Sequence, residues 1–387
     1  MRRLAAVFGL AGFLGALAAG PVRADDYVSV RGVYYREPST RVVQPIVEVE
    51  RDSPSGIDVG AHFLIDAITS ASASAGTGRD VIFTETRNEA GLMLRKRWSR
   101  SEISAGYRYS AESDYWSHSV GISGATRLWA DTATLRLALG RNFDSMASRL
   151  RLPDCAVAPS TSCPLDVWFA GVSYTQVLSP VAILQANFDS AYLEGFQGNL
   201  YRTIPDGRFE VLPYPAGGLV GQGRRMRHAA AVRLGYYFPE TATGIQVAYR
   251  YYWDWFPGTS ATPYDPWNLR SHTGEARVFQ EIAPDLELRV LYRVYWQPHG
   301  AAFWCDTVAN RSCYLPTDPY YSNDPKLGAV TTHYPEAKLY WRAEALRPYP
   351  FFRWFAAGSF EIAYGHYFQS TNFGGAHVLQ AGYTMPY

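Results

Sequence analysis

The stretch GIQVAYRYYWDW, residues 244–255, decides the fold. Ile245, Val247, Tyr249, Tyr251, Trp253 and Trp255 fall on one side of an extended chain, and Gln246, Ala248, Arg250, Tyr252 and Asp254 on the other. Successive side chains of a strand point to opposite faces, so this alternation makes one greasy face and one wet face. The run 286–297 repeats it, with Leu286, Leu288, Val290, Tyr292, Val294 and Trp296 set against Glu287, Arg289, Leu291, Arg293, Tyr295 and Gln297. A third run opposes Leu339, Trp341, Ala343 and Ala345 to Lys338, Tyr340, Arg342 and Glu344.

A soluble sandwich also alternates, so length has to separate the two cases. Strands of soluble proteins usually stop near about five or six residues, whereas a tilted strand crossing a bilayer needs about 9 to 11. The runs here reach the longer class, and several end in aromatics, as at Trp98, Trp129, Trp253 and Trp255, where interfacial girdles sit. Working outward, sixteen strands are expected, within a range of 14 to 18, near 27–35, 41–51, 57–68, 87–98, 101–112, 115–129, 131–142, 166–178, 180–192, 227–238, 244–256, 270–282, 285–297, 334–346, 354–368 and 376–387. Every second connection is tight, as at Asp52 to Gly56, Ser99-Arg100, Ala283-Pro284 and Arg347 to Phe352, while 69–86, 143–165, 193–226 and 298–333 are long. Short periplasmic turns opposite long external loops define an antiparallel up-and-down transmembrane β-barrel of the bacterial outer membrane, and an even strand count returns both ends to the periplasm.

The flanks and the bulk composition agree. Arg2 and Arg3 precede the uncharged apolar run Leu4 to Ala19, and Val22-Arg23-Ala24 offers a small-residue cleavage site, so residues 1–24 read as a signal peptide and 25–387 as the barrel. Removing Arg2, Arg3 and Arg23 leaves 33 of the 36 Lys+Arg against 35 Asp+Glu, a mature balance of 33 − 35 = −2, which excludes a polycation for nucleic acid. Aromatics make up 15% and charged residues only 18%, yet no run of about 18 apolar residues follows residue 24, so the aromatic surplus belongs to strands. The last strand puts His377, Leu379, Ala381, Tyr383, Met385 and Tyr387 on one face and ends on an aromatic, similar to the signal that outer-membrane proteins present to the barrel-assembly machinery. The expected partners are that machinery and the lipid bilayer.

Few residues suggest chemistry. Cys155 with Cys163 and Cys305 with Cys313 each share one long loop, and an oxidising export route favours two local disulfides over a metal site. Asp306, Asp318 and Asp324 lack the spacing of a calcium loop and read as solvated acids. His366 and Ser370 are the nearest approach to a hydrolase pair, but their spacing differs from the His-x-Ser-Asn run of outer-membrane lipases. No catalytic residue, metal or cofactor is assigned. The inward positions of the last third carry the polar residues that merit attention: Arg250, Asp254, Ser271, Thr273, Glu275, Arg277, Glu287, Arg289, Arg293, Gln297 and Arg342. They form either a hydrated wall braced by cross-strand ion pairs or the charged lining of a pore.

The segments YRYYWD (249–254), SHT (271–273), RVYWQ (293–297) and AFW (302–304) resemble an uncharacterised family of proteobacterial exported proteins, as do DAITSAS (66–72), AYL (191–193), NDPKL (323–327) and YFQSTN (367–372). The resemblance implies an outer-membrane barrel and names no activity. Its recurrent polar residues, here Arg250, Asp254, Ser271, Thr273, Arg293 and Gln297, map to inward positions on three adjacent strands. A porin-like channel for small polar or charged solutes is therefore expected, with a closed scaffolding barrel as the alternative and a lipid hydrolase as a more remote one.

Overall fold

The alternation that marks residues 244–255 runs through sixteen strands of a computed structural model, which describes residues 26–38, 40–72, 81–147, 162–198, 210, 223–255, 267–298, 300–301, 304–305, 321–370 and 374–387. The expected signal peptide lies outside the described residues. In chain order the strands are β1 (Tyr27–Arg36), β2 (Thr40–Arg51), β3 (Ile57–Ser72), β4 (Val81–Arg97), β5 (Ser101–Ala111), β6 (Tyr115–Leu128), β7 (Ala133–Ala147), β8 (Ser162–Ser179), β9 (Ala182–Gly195), β10 (Gly223–Phe238), β11 (Thr243–Trp255), β12 (Arg270–Ala283), β13 (Leu286–Gln297), β14 (Val330–Arg342), β15 (Ser359–Gln369) and β16 (Ala376–Pro386). Each pairs antiparallel with its neighbours in sequence, and β1 closes on β16. Closure leaves no unpaired strand edge, which a strand fold needs to stand in hydrocarbon.

Side chains sort as the alternation requires. Leu92 and Leu94 of β4, Leu137 and Leu139 of β7 and Val232 of β10 stand on the outer face, with Leu92 exposed to 62%. In water such a belt would cost roughly 25 cal/mol per Å², and lipid covers it. The inner faces of β2 to β4 carry ion pairs in place of an apolar core. Arg95 meets Asp58 at 3.0 Å and also pairs with Glu50, Arg97 meets Asp52 at 2.7 Å, and Arg87 meets Asp66 at 2.5 Å. At the seam, Glu361 of β15 accepts from Lys338 of β14 at 2.5 Å and from Arg31 of β1 at 3.0 Å. Pro386 has no N–H to give the ladder at its last rung opposite Tyr27, and the next residue donates instead, Tyr387 N to Asp26 O at 3.1 Å.

The turn after β2 depends on one glycine. Gly56 has φ +70°, and a Cβ there would stand 2.8 Å from the Arg97 carbonyl oxygen of β4. The Gly56 carbonyl in turn accepts from Arg97 N at 2.7 Å.

The structure moves some boundaries. β4, β7, β8, β9 and β10 extend past their expected extracellular ends, so that β8 alone spans 18 residues, a contour of roughly 60 Å at about 3.3 Å per residue. Beyond the membrane a strand needs only backbone pairing, and the greasy alternation used to find it disappears. The strand expected at 334–346 lies at Val330–Arg342, and Ala343–Leu346 forms a 3-10 turn. The connection placed at Arg347 to Phe352 is consequently the broad periplasmic turn 343–358, which displays Phe351 at 82% and Trp354 at 80% exposure.

Candidate functional site

The inward residues of β10 to β13 divide into an upper group that holds loops and a lower group that lines the wall. On β11, Tyr252 and Asp254 are two residues apart and so share the inner face, where the Tyr252 hydroxyl donates to the Asp254 carboxylate. Arg225 of β10 donates to the same carboxylate. Both partners are buried, Arg225 at 5% and Asp254 at 7% exposure, so neither charge is stable there without the other. The guanidinium carbon of Arg225 lies 3.9 Å from the ring centroid of Trp267, in the segment that descends into β12. Asp254 also fixes that segment through its backbone, donating from N to the Leu269 carbonyl at 2.9 Å.

β13 repeats the device. The Tyr295 hydroxyl donates to Gln297 Oε1 at 2.7 Å, again across two residues. Thus oriented, the Gln297 amide donates to the carbonyls of Lys326, at 3.1 Å, and Gly328. In both family segments the tyrosine aims a polar side chain that then grips a loop. Trp267, Leu269 and Ala301 form a buried apolar cluster packed against Tyr252, Trp304 and Leu327. Ser271 is buried beneath it and opposite Tyr252 in the ladder. The loops hold one another as well: Ala301 N donates to Leu327 O at 2.8 Å, Cys305 N to Ser322 O at 3.0 Å, and Ser322 Oγ to Glu210 at 2.7 Å. Segments that follow β9, β11 and β13 therefore meet as a cap seated on the inner wall at the extracellular mouth.

Below the cap the wall is charged. Glu275 of β12 accepts from Arg277 at 2.7 Å and from Arg293 of β13 at 2.8 Å, and Arg289 pairs with Glu287. Arg342 lies at the periplasmic rim, 3.4 Å from Asp285 and bonded to the Pro284 carbonyl. Arg250 stands opposite Thr273 and Ala231, and its guanidinium lies 5.6 Å from the Tyr252 ring centroid. Arg227 faces Asp254, and Arg233 faces Ala248. Among the described residues, Arg227, Arg233 and Arg250 make no ion pair within 4 Å, although Arg227 lies across from Asp254, whereas the other basic side chains on the inner strand faces each make one. The neighbouring β9 carries one acid on this face, Asp189, opposite Ala229 and also without an ion pair.

Arg225, Arg227 and Trp267 were not among the expected site residues. The RRMR run at 224–227 precedes the first clear alternation of its strand, and no periodicity points to Trp267. Cys163 and Cys305 are buried, and among the described residues no cysteine is a free thiol. Cys155, Cys313, Asp306 and Asp318 lie outside the described residues. His366 and Ser370 are engaged apart from each other. Nδ1 of His366 faces Nδ1 of His377 at 3.2 Å, and Ser370 Oγ accepts from Thr331 N at 2.9 Å.

A sixteen-stranded barrel with a greasy outer belt, a charged interior and an anchored loop cap defines a transmembrane barrel of the outer-membrane kind. The chain belongs to the family described as protein of unknown function (DUF3570), which matches residues 66–156 and 165–342 and so takes in Arg225, Asp254, Trp267, Ser271 and Gln297. No curated protein matches it. Among solved structures it is similar to OccD3 (OpdP) of Pseudomonas aeruginosa, with 12% identity over 95% of this chain and 92% of that one and a TM-score of 0.46. It is also similar to OpdK of the same organism, determined with vanillate, with 10% identity over 95% and 100% and a TM-score of 0.46. A BenF-like porin from Pseudomonas fluorescens matches with 7% identity over 94% and 98% and a TM-score of 0.45.

Proposed function

We propose that the protein is a porin-like channel of the bacterial outer membrane that passes small anionic solutes along the β10–β11 wall. The observation that carries this reading is the trio Arg227, Arg233 and Arg250. Three guanidiniums that make no ion pair among the described residues, set among the small inward side chains of Ala229, Ala231 and Ala248, form a cationic stretch of wall beneath the cap. Barrels of about sixteen strands are wide enough for an aqueous channel unless something plugs them. Free positive charge on the wall raises the local concentration of anions and lowers that of cations.

The reading includes export by a signal peptide cleaved after Ala24, insertion by the barrel-assembly machinery, and two loop disulfides, Cys155 to Cys163 and Cys305 to Cys313. It assigns no catalytic step. Refolded, heat-modifiable protein in a planar bilayer between unequal KCl solutions should give conductance steps with a reversal potential on the chloride side. In Arg233→Gln/Arg250→Gln the chloride-to-potassium permeability ratio should fall several-fold with the barrel still folded. Steps of unchanged selectivity in that variant would remove the anion path. The extensive ion pairing of the remaining wall favours the second reading, a closed scaffolding barrel, and folded protein without any steps would decide for it.

A further inference from the structure

The two rims of the outer face differ chemically. The periplasmic rim displays Trp98, Trp129, Phe238 and Ile282 and, among the described residues, no histidine. The extracellular rim holds all six outward-facing histidines that are described: His118, His228, His272, His333, His366 and His377. Each lies within six residues of the extracellular end of its strand. The remaining described histidine, His62, faces inward and pairs with Glu89.

Four of the six repeat one geometry. Tyr107 and His118 are 2.7 Å apart from hydroxyl to Nδ1, Tyr249 and His272 2.6 Å, Tyr292 and His333 2.8 Å, and Tyr364 and His377 2.8 Å. In all four the ring centroids are 6.1 Å apart, with interplanar angles of 30° to 36°. Every tyrosine is on an ascending strand, and every histidine is on the next descending strand, on the diagonal one pleat nearer the rim. A phenol is a better donor than a neutral imidazole, and the unprotonated imidazole nitrogen is the better acceptor, so the hydroxyl donates to Nδ1. That bond fixes the tautomer with its proton on Nε2, the ring nitrogen that the tyrosine does not engage. The device produces a row of N–H donors that does not depend on protonating the ring. Four arginines crown the same outer face, Arg36, Arg41, Arg224 and Arg270, and Arg141 lies just below them. Against these five cations the described face sets two carboxylates, Asp166 at 2.9 Å from Arg141 and Glu194 at 3.0 Å from Arg224.

We propose that this tyrosine-clamped histidine belt, with the arginines above it, binds the phosphate groups of the glycolipid that forms the outer leaflet. The inference rests on the outer-membrane placement given above and is independent of conduction. A surplus of cations and neutral N–H donors at headgroup depth complements a phosphorylated sugar; the periplasmic rim carries Arg51 and Lys96 on its outer face but no described histidine. Hydrogen bonds from a donor to a charged acceptor are the stronger class, and four of them are lost together when the belt is removed.

The test uses the full-length barrel refolded in neutral detergent and loaded with bisphosphorylated lipid A, with dephosphorylated lipid A and inorganic phosphate as separate arms, and reads retained lipid by native mass spectrometry. Wild-type protein should retain the bisphosphorylated form and release the other two. His118→Phe/His272→Phe/His333→Phe/His377→Phe keeps ring volume and removes the donors, and retention should fall on the order of tenfold. Tyr107→Phe/Tyr249→Phe/Tyr292→Phe/Tyr364→Phe removes only four hydroxyls and should lower retention a few-fold. Wild-type retention in the histidine variant overturns the proposal. If that variant does not fold, wild-type retention in the tyrosine variant overturns it. Equal retention of dephosphorylated lipid A by the wild type does so as well. Bilayer conductance of the same samples and surface labelling, in intact cells, of a cysteine introduced into an extracellular loop report the channel reading and the placement separately.

Discussion

Replacing Asp254 by Ala should release the cap while leaving the barrel closed. The substitution removes the acceptor of both Arg225 and Tyr252 at a place where Arg225 is almost wholly buried. Leaving one member of a buried ion pair without its partner costs about 3–5 kcal/mol. Loss of a well-placed guanidinium under Trp267 adds about 0.5–2 kcal/mol. Opposing this, the three buried members of the apolar cluster contribute about 1.5–3 kcal/mol for each large side chain and less for Ala301, which is of similar size to the loss. Docking should weaken by a factor on the order of 10² to 10⁵, since each 1.4 kcal/mol is tenfold. The strand ladder is untouched, so heat-modifiability should persist. Brief proteolysis of detergent-solubilised protein should then cut within 256–269 and 298–329 faster than in the wild type, and any conductance should rise. Arg225→Met/Asp254→Leu replaces the pair by apolar side chains of similar size and should restore much of the protection, because such exchanges are often neutral. Unchanged protection in Asp254→Ala, or equal cleavage in the single and double variants, would refute the view that this ion pair holds the cap.

Gln297→Leu should expose the 298–329 loop to protease while 256–269 stays protected, because Gln297 grips only the Lys326 and Gly328 carbonyls. Gly56→Ala should slow assembly and lower the unfolding midpoint by the equivalent of about 1–3 kcal/mol, read from the heat-modifiable gel shift, because the residue must adopt positive φ with its Cβ against the Arg97 carbonyl. Glu112, in the external turn between β5 and β6, has its carboxyl pushed up chiefly by burial, with Asp114 and Glu85 adding to the shift and Arg87 opposing it. A raised folded-state value means that the ionised form costs stability, a cost absent below the ordinary glutamate value of 4.5 and present once pH has risen past the folded one. Glu112→Gln should therefore unfold at a higher temperature than the wild type at pH 7, and the gain should vanish near pH 4.

The barrel was legible because lipid imposes its pattern residue by residue. Every strand crossing it has to alternate, so sixteen strands, their faces and the side of the loops could be read from the chain. Legibility stopped where lipid stops. The protruding ends of β4 and β7 to β10 are not obliged to alternate, and Thr331-Thr332-His333 at the start of β14 shows no contrast between its faces. The apparent alternation of Ala343 and Ala345 ran on into a 3-10 turn because small apolar residues fit either backbone. Within the site, Asp254 and Gln297 could be placed on the inner face, but their work could not. Arg225 is 29 residues from Asp254 and Gly328 is 31 from Gln297, distances that only a strand register and a folded loop convert into contact. For the same reason His377 could be placed on the apolar face of the last strand, while the Tyr–His diagonals depended on how neighbouring strands align.

The free arginines of β10 and β11 also have a position around the circle. In a ring of sixteen strands, β10 and β11 lie eight places from β2 and β3, which is straight across the bore. The inner faces of β2 and β3 carry Glu48, Glu50, Asp58 and Asp66, with their balancing arginines on β1 and β4. One side of the bore thus carries arginines without ion pairs among the described residues, and the opposite side carries acids already balanced by arginines, so an electric field runs across the axis as well as along it. In the proposed channel, a solute with a charged head and a neutral tail would be turned by that field as it passed, and the barrel would discriminate by orientation as well as by size.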